Sequence, residues 1–325
     1  MFESVEDVER RLLGQSYLAG RGVATAVYLA GKLEKPVLVE GPAGVGKTDL
    51  AKTVAQALGR PLVRLQCYEG LDESKALYEW EYSKQLLYTQ MLRDKIGEVI
   101  EGAGSLAEAS ERIARQDDVF FSERFIVARP LLRAITSEEP IVLLIDEVDK
   151  SDPEFEAFLL EVLSDYTVSV PEIGTIRARR IPLVFLTSND SREMSDALKR
   201  RCLHLHIDFP GEEAELRILE LKVPGISERL AREIVEFVHR IRKLDLKKTP
   251  SISETLDWAR ALLVLNADRL EPEVVNATLN IILKHQGDIR KAQTELAALL
   301  ERKAAEVAAE KPQVVSTPAK KSVLH

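Results

Sequence analysis

GPAGVGKT, residues 41–48, lies between the apolar run PVLVEG (36–41) and the helix-like stretch TDLAKTVAQALG (48–59). A strand that breaks into a glycine-rich bend and restarts as a helix is the setting in which phosphate groups are cradled. Phosphate oxygens need many donors at close range. Gly41, Gly44 and Gly46 let the backbone bend so that several N–H groups point inward. The helix starting near Lys47 adds its positive N-terminal end. Lys47 supplies a mobile charge for the β- and γ-phosphates of ATP, and Thr48 a hydroxyl for Mg²⁺. The expected nucleotide contacts are Gly41, Pro42, Ala43, Gly44, Val45, Gly46, Lys47, Thr48 and Asp49. A glycine-rich turn without a ligand is the plain alternative, and the strand-then-helix setting weighs against it.

IVLLIDEVDK (141–150) ends a fully apolar run with Asp146 and Glu147. Ligands of parallel sheets sit outside the carboxyl ends of the strands, so an Asp there stands beside the glycine loop. Asp146 is expected to hold Mg²⁺ together with Thr48, directly or through water, and Glu147 to polarise the attacking water. Alone, the pair would read as a turn before the helix that Asp152 caps and Pro153 opens. LTSN (186–189) ends another apolar run. Asn189 is expected to orient that water or touch the γ-phosphate; an Asn in a turn is the alternative. ALKRRCLHLHIDFP (197–210) puts Arg200 and Arg201 at the end of a short helix. An arginine there can reach a neighbouring subunit's nucleotide and stabilise charge on its γ-phosphate. A basic pair favoured by the helix dipole would look the same.

The strand-and-helix rhythm extends over residues 1–210. PLVRLQC (61–67), PIVLLID (140–146), IPLVFLTSN (181–189) and LHLHIDFP (203–210) are further strand-like runs bounded by Pro, Gly or polar residues. Alternation with helices predicts an α/β fold of the P-loop NTPase kind, a three-layer core with a parallel sheet covered on both faces. Residues 68–135 break the rhythm with a polar, Tyr-rich segment and a small-residue helix, SLAEASERIARQ. They read as an insertion between the second and third strands. YTVSVPEIGTIRARRI predicts a hairpin over about 166–181. After Pro210 only helical patterns remain. ISERLAREIVEFVHRIRKLD puts Ile226, Leu230, Ile234, Val238, Ile241 and Leu244 on one face, so 211–308 is expected to be a separate all-α lid. Residues 309–325, with two prolines and no periodicity, are expected to be a disordered tail.

The 325 residues carry 45 basic against 53 acidic side chains, a formal net charge of -8. That balance disfavours coating nucleic acid or an anionic membrane. Cys67 and Cys202 lie in apolar runs outside any CxxC pair and are expected to be buried reduced thiols. The charged start MFESVEDVERRLLGQ does not read as a secretory signal. No run of about 18 apolar residues occurs, so no membrane span is expected. The cytoplasm is the default compartment.

GPAGVGKT, LLIDEVDK, LTSN and ALKRRC, in this order and spacing, resemble the AAA+ ATPases of the MoxR family over roughly residues 10–285. Gly14–Gln15, ahead of the first strand, resembles the family's adenine-side segment. The hairpin and the break at 68–135 resemble the family's extra hairpin and its insertion in the second helical region. LQCYEGLDESKALYEWEY and SISETLDWARALL look like the CoxD-type subgroup, associated with molybdenum hydroxylases such as carbon monoxide dehydrogenase. The resemblance implies an ATP-hydrolysing hexameric ring, a von Willebrand A-domain protein as partner, and a metallo-enzyme client that is matured. There is one departure. Many members carry a second sensor arginine where SISET (251–255) stands here, with Glu254 and Thr255 in its place. Arg260, on the same helix, is a possible substitute.

Tyr78, Trp80 and Tyr82 alternate along the insertion. They either grip a docked chain or pack the insertion against the sheet. Arg177, Arg179 and Arg180 either bind an acidic partner or are solvated charges that guard a sheet edge. Three rival functions stand beside the ring ATPase: a P-loop kinase of a small molecule, an AAA+ protein acting on nucleic acid, and a scaffold that binds nucleotide without turnover. Glu147 beside Asp146 weighs against the first and third, and the acidic balance against the second.

Overall fold

The protein is described by a computed structural model over residues 1–91, 101–102, 104–105, 107–108, 125–170 and 173–309. It divides into two compact units, Met1–Phe209 and Pro210–His325. Most of SLAEASERIARQ, the turn residues Pro171 and Glu172, and the expected tail beyond Ala309 lie outside the described residues.

The first unit has nine strands among the described residues: β1 Val37–Glu40, β2 Leu62–Gln66, β3 Tyr78–Trp80, β4 Ile126–Ala128, β5 Val142–Asp146, β6 Thr167–Val170, β7 Gly174–Arg177, β8 Leu183–Ser188 and β9 Leu203–His206. Five of them form one parallel sheet in the order β2-β5-β8-β1-β9. The central strands β1, β5 and β8 are buried along their whole length, which requires cover on both faces. Successive side chains supply it alternately. Leu38, Leu143, Ile145, Val184 and Leu186 pack with Phe155, Leu159 and Val162 of the helix Pro153–Asp165. Val37, Val39, Val142, Leu144 and Phe185 pack on the other side with Val8, Leu12, Val27, Leu50 and Val54, from the helices Val5–Gly14, Arg21–Leu33 and Lys47–Leu58. The three-layer P-loop core expected from the sequence is the observed fold.

The break after β2 differs from its sequence reading in one respect. β3 and β4 pair antiparallel. The helix Pro130–Thr136, counted from sequence as part of the insertion, is core structure. Its Leu131, Leu132, Ala134 and Ile135 are buried in the same cluster as Leu143 and Ile145. Seven residues span only two turns, too short for a helical period to stand out. β6 and β7 form the expected hairpin.

The register decides where function can sit. Gln66 is level with Asp146, and Glu40 with both Ser188 and His206. The strands therefore end along one edge, where the polar residues that terminate the apolar runs are gathered.

The second unit is helical: Glu212–Lys222, Glu228–Arg242, Ile252–Val264, Pro272–Ile282 and Gln286–Ala309. Leu230, Ile234, Val238 and Ile241 are buried as their spacing predicts, while Ile226 and Leu244 flank that helix and are half-buried. Trp258 is fully buried, and its indole N–H donates to Thr278 Oγ1 at 2.8 Å. Both cysteines are free and buried. Among the described residues no helix is long and apolar enough to cross a membrane.

Candidate functional site

The bend after β1 is shaped by glycine. Gly41, Gly44 and Gly46 have φ of 142°, 75° and 98°, a region that side chains disfavour. A Cβ on Gly41 would lie 2.0 Å from the carbonyl oxygen of Ile207, so no other residue fits. Lys47, the first residue of the helix Lys47–Leu58, is 5% exposed. Its ammonium donates to Gly41 O at 2.7 Å, Pro42 O at 2.6 Å and Asn189 Oδ1 at 2.9 Å. Burial pushes this lysine below its ordinary pKa, against the pull of Asp149, Asp146 and Glu147. The three groups it bonds directly are neutral. A buried cation costs free energy unless an anion compensates it, and this one opens the helix Lys47–Leu58, whose N-terminal end is positive as well.

Asp146 ends β5 and is 2% exposed. Its Oδ1 accepts from Thr48 Oγ1 at 2.8 Å and Thr187 Oγ1 at 2.6 Å. Its Oδ2 accepts from Arg64 Nε at 3.0 Å and Nη2 at 2.5 Å. Glu147 follows in a left-handed conformation, φ 57°, with its N–H bonded to Thr187 Oγ1 at 2.9 Å. Its Oε1 accepts from Asn189 Nδ2 at 3.2 Å, and its Oε2 from Gln66 Nε2 at 2.8 Å and Lys150 Nζ at 2.6 Å.

Asn189 is fixed in turn by Asp149. Asp149 Oδ2 accepts from the backbone of Asn189 at 3.2 Å and of Ser191 at 3.1 Å, and from Ser191 Oγ at 2.5 Å. Burial alone would raise the Asp149 pKa, but these bonds outweigh it and hold the carboxyl below its ordinary value. Among the described residues Asp149 Oδ1 is buried and meets no hydrogen-bond partner, an acceptor of the kind a bound water or ligand satisfies.

Lys47, Thr48, Asp146, Glu147 and Asn189, from three separate stretches of sequence, thus form one bonded group. Val45 is buried in the loop, and Asp49 lies in the first turn of the helix. Gly14 and Gln15 are exposed at the end of the helix Val5–Gly14. From that segment the buried Tyr17 reaches the loop instead, its Oη 3.5 Å from Gly46 O. Arg200 and Arg201 are exposed at the end of the helix Asp196–Arg201, where Arg201 bonds Ser164 Oγ, and neither bonds the Lys47 group.

Glu254 and Thr255 have local tasks. Ser251 and Glu254 form a capping box for the helix Ile252–Val264, and Glu254 also pairs with Lys248 at 2.9 Å. The buried Thr255 hydroxyl donates to Ser251 O. Arg260 is exposed and pairs with Asp257 at 2.9 Å. Tyr78, Trp80 and Tyr82 line a surface groove of about 740 Å³ with Phe158, Glu161 and Val168. Tyr78 also packs on the core, whereas Tyr82 is largely exposed. Arg179 pairs with the Glu138 carboxylate, and Arg180 Nε donates to Glu138 O at 3.1 Å. Arg177 is exposed on the hairpin.

Sequence reasoning passed over Arg64, Gln66, Asp149 and Tyr17. For the first two a signal existed: Arg and Gln two residues apart in an otherwise apolar strand share a face, and the register sets that strand beside Asp146.

Mg²⁺ takes oxygen donors, with one or two carboxylates and phosphates completing the set. A hydroxyl and a carboxylate 2.8 Å apart, beside a buried ammonium in a backbone cradle, suit that ion with a polyphosphate.

Residues 36–202 match the model of the AAA domain, dynein-related subfamily. The chain is 24% identical over 275 residues to an uncharacterized protein of Staphylococcus epidermidis, covering 82% of this chain and 90% of the relative. It is 25% identical over 241 residues to one of Staphylococcus aureus, covering 72% and 77%. Among solved structures it is similar to the RuvB Holliday junction branch migration motor of Thermotoga maritima, with 16% identity, 86% of this chain and 72% of that chain covered, and a TM-score of 0.45. A point mutant of that motor gives 17% identity, 86% and 71% coverage, and a TM-score of 0.47.

Proposed function

The chain belongs to the AAA domain family, dynein-related subfamily, and from that premise we propose that it is a Mg²⁺-dependent ATPase of the MoxR kind, working in the cytoplasm as a hexameric ring that remodels a client protein. The CoxD-like segments LQCYEGLDESKALYEWEY and SISETLDWARALL support a narrower reading. In it the ring acts with a von Willebrand A-domain protein to mature a molybdenum-containing metallo-enzyme. The unit Met1–Phe209 serves as the nucleotide-binding core and the helical unit as its lid.

Mg²⁺, when bound, would supply charge neutralisation to the phosphates. Lys47 exchanges its carbonyl acceptors for phosphate oxygens and regains a countercharge. Thr48 and Asp146 hold the metal. Glu147 polarises the attacking water, and Asn189, bonded to both Lys47 and Glu147, keeps the phosphate-binding and water-activating groups in step. Arg201 of the next subunit completes the site from outside, so hydrolysis requires assembly.

The observation that carries this reading is the continuous bonding of Lys47, Asn189 and Glu147 beside the Thr48–Asp146 pair. The test is phosphate release from ATP with no added acceptor. The wild-type chain releases phosphate, and Lys47→Ala neither binds nor hydrolyses. Glu147→Gln binds ATP but turns over at least about a hundredfold more slowly, the scale of a lost general base. Arg201→Ala is also nearly inactive, and mixing it with Glu147→Gln restores part of the activity. Phosphate transfer only when a small acceptor is supplied would point to a kinase instead. Normal maturation of molybdenum hydroxylases in cells lacking the chain would remove the client assignment.

A further inference from the structure

Asp146 has no spare acceptor. A carboxylate offers about four lone-pair sites, and here Oδ1 takes two hydroxyl donors while Oδ2 takes two N–H donors of Arg64. A metal ion can be taken up only if one of these donors leaves. Thr48 need not leave, because its hydroxyl oxygen can ligate a metal while its proton still donates to Oδ1, and Thr187 is not free to go, because it is 1% exposed and its hydroxyl also accepts from the backbone of Glu147. Arg64 differs. Its side chain is 45% exposed, comes from the edge strand β2, and is long enough to swing into water. Its charge also opposes the approach of a second cation to the same carboxylate.

We propose that Arg64 is a resident counter-cation of Asp146, which occupies Oδ2, the oxygen of that carboxylate whose donors are free to leave, and must be displaced for Mg²⁺ to load. The inference rests on the reading of Asp146 as a metal ligand. Before loading, the guanidinium keeps a buried carboxylate paired that would otherwise be costly to leave bare. On loading, Mg²⁺ competes with Arg64, so the site fills at a higher Mg²⁺ concentration than its oxygen donors alone would require. Displacement reaches one step further. Arg64 Nη2 also donates to Gln66 Oε1, and Gln66 Nε2 holds Glu147 Oε2 at 2.8 Å. Withdrawing Arg64 removes one anchor of Gln66 and loosens one of the three bonds on the Glu147 carboxylate, while those from Lys150 and Asn189 remain.

The experiment is a Mg²⁺ titration of a fluorescent ADP analogue binding to the full chain, with binding in EDTA and thermal melting in EDTA measured in parallel. Arg64→Met keeps the apolar stem and removes the charge. It is expected to lower the half-saturating Mg²⁺ about tenfold, within the usual range for coupled sites, to leave metal-free nucleotide affinity unchanged, and to melt earlier in EDTA. Arg64→Lys keeps a cation but loses the fork. It is expected to show a smaller shift in the same direction, about threefold, and carries the test if the Met variant does not fold. An unchanged or raised half-saturating Mg²⁺ in the folded variant overturns the role of Arg64 while leaving the nucleotide site intact. A wild-type chain whose nucleotide binding ignores Mg²⁺ overturns both.

Discussion

Asp146 in the first unit and Glu215 in the second are both carboxylates sunk in the interior, and each is held by an arginine. Glu215 is fully buried and takes both arms of Arg242, Nη1 on Oε2 at 2.5 Å and Nη2 on Oε1 at 2.8 Å, with His239 Nε2 also on Oε2 at 2.8 Å. Arg242 is itself only 8% exposed, and its Nε is committed to Pro250 O at 2.9 Å. No member of that cluster can leave without stranding a charge. Asp146 is buried to a similar degree, but its arginine lies nearly half in water. The contrast teaches how a closed polar cluster and an open one differ. The first joins helices Glu212–Lys222 and Glu228–Arg242 to the turn before the next helix, which is a structural task. The second keeps a carboxylate ready for exchange, which is what a binding site needs.

The contrast can be broken in several ways. Glu215→Ala is expected to cost about 3–5 kcal/mol, the price of breaking a buried ion pair from one side, read as a loss of unfolding free energy in urea. Asp146→Asn keeps the shape and leaves Arg64 to solvent, so its cost should stay under about 1.5 kcal/mol while Mg²⁺-dependent nucleotide binding disappears. Equal destabilisation by the two substitutions would erase the distinction. Gly41→Ala forces a side chain into positive φ and against Ile207 O, and is expected to cost about 1–3 kcal/mol, measured in the same way. Ser251→Ala removes one half of the capping box and should cost about 1 kcal/mol. A larger loss would give Ser251 a task beyond the cap. The smallest effect concerns the thiols. Burial pushes Cys67 and Cys202 up to about 12, so roughly one thiol in ten thousand is ionised at pH 8. Alkylation of the native chain should therefore be negligible until denaturant is added.

The sheet was legible because β1, β5 and β8 are buried on both faces and so appear as unbroken apolar runs. The polar residues that end those runs mark the edge where the glycine loop, Asp146, Glu147 and Asn189 meet. What escaped was of two kinds. The helix Pro130–Thr136 is too short to show a period, so it merged with the insertion. Arg64, Gln66 and Asp149 act through register and turn geometry, which bring together residues that no motif links. SISET shows the opposite case, where a local signal accounts for the residues present. Ser followed three residues later by Glu is a helix-start signature, and it explains both side chains without reference to a lost sensor.

The account depends on the bend after β1 holding a triphosphate. Calorimetric titration of the folded chain with Mg²⁺ and a non-hydrolysable ATP analogue, beside folded Lys47→Ala, tests this most directly. The account predicts saturable binding at one site per chain in the wild type and none in the variant. Absence of binding in the wild type, or equal binding in the variant, would contradict it.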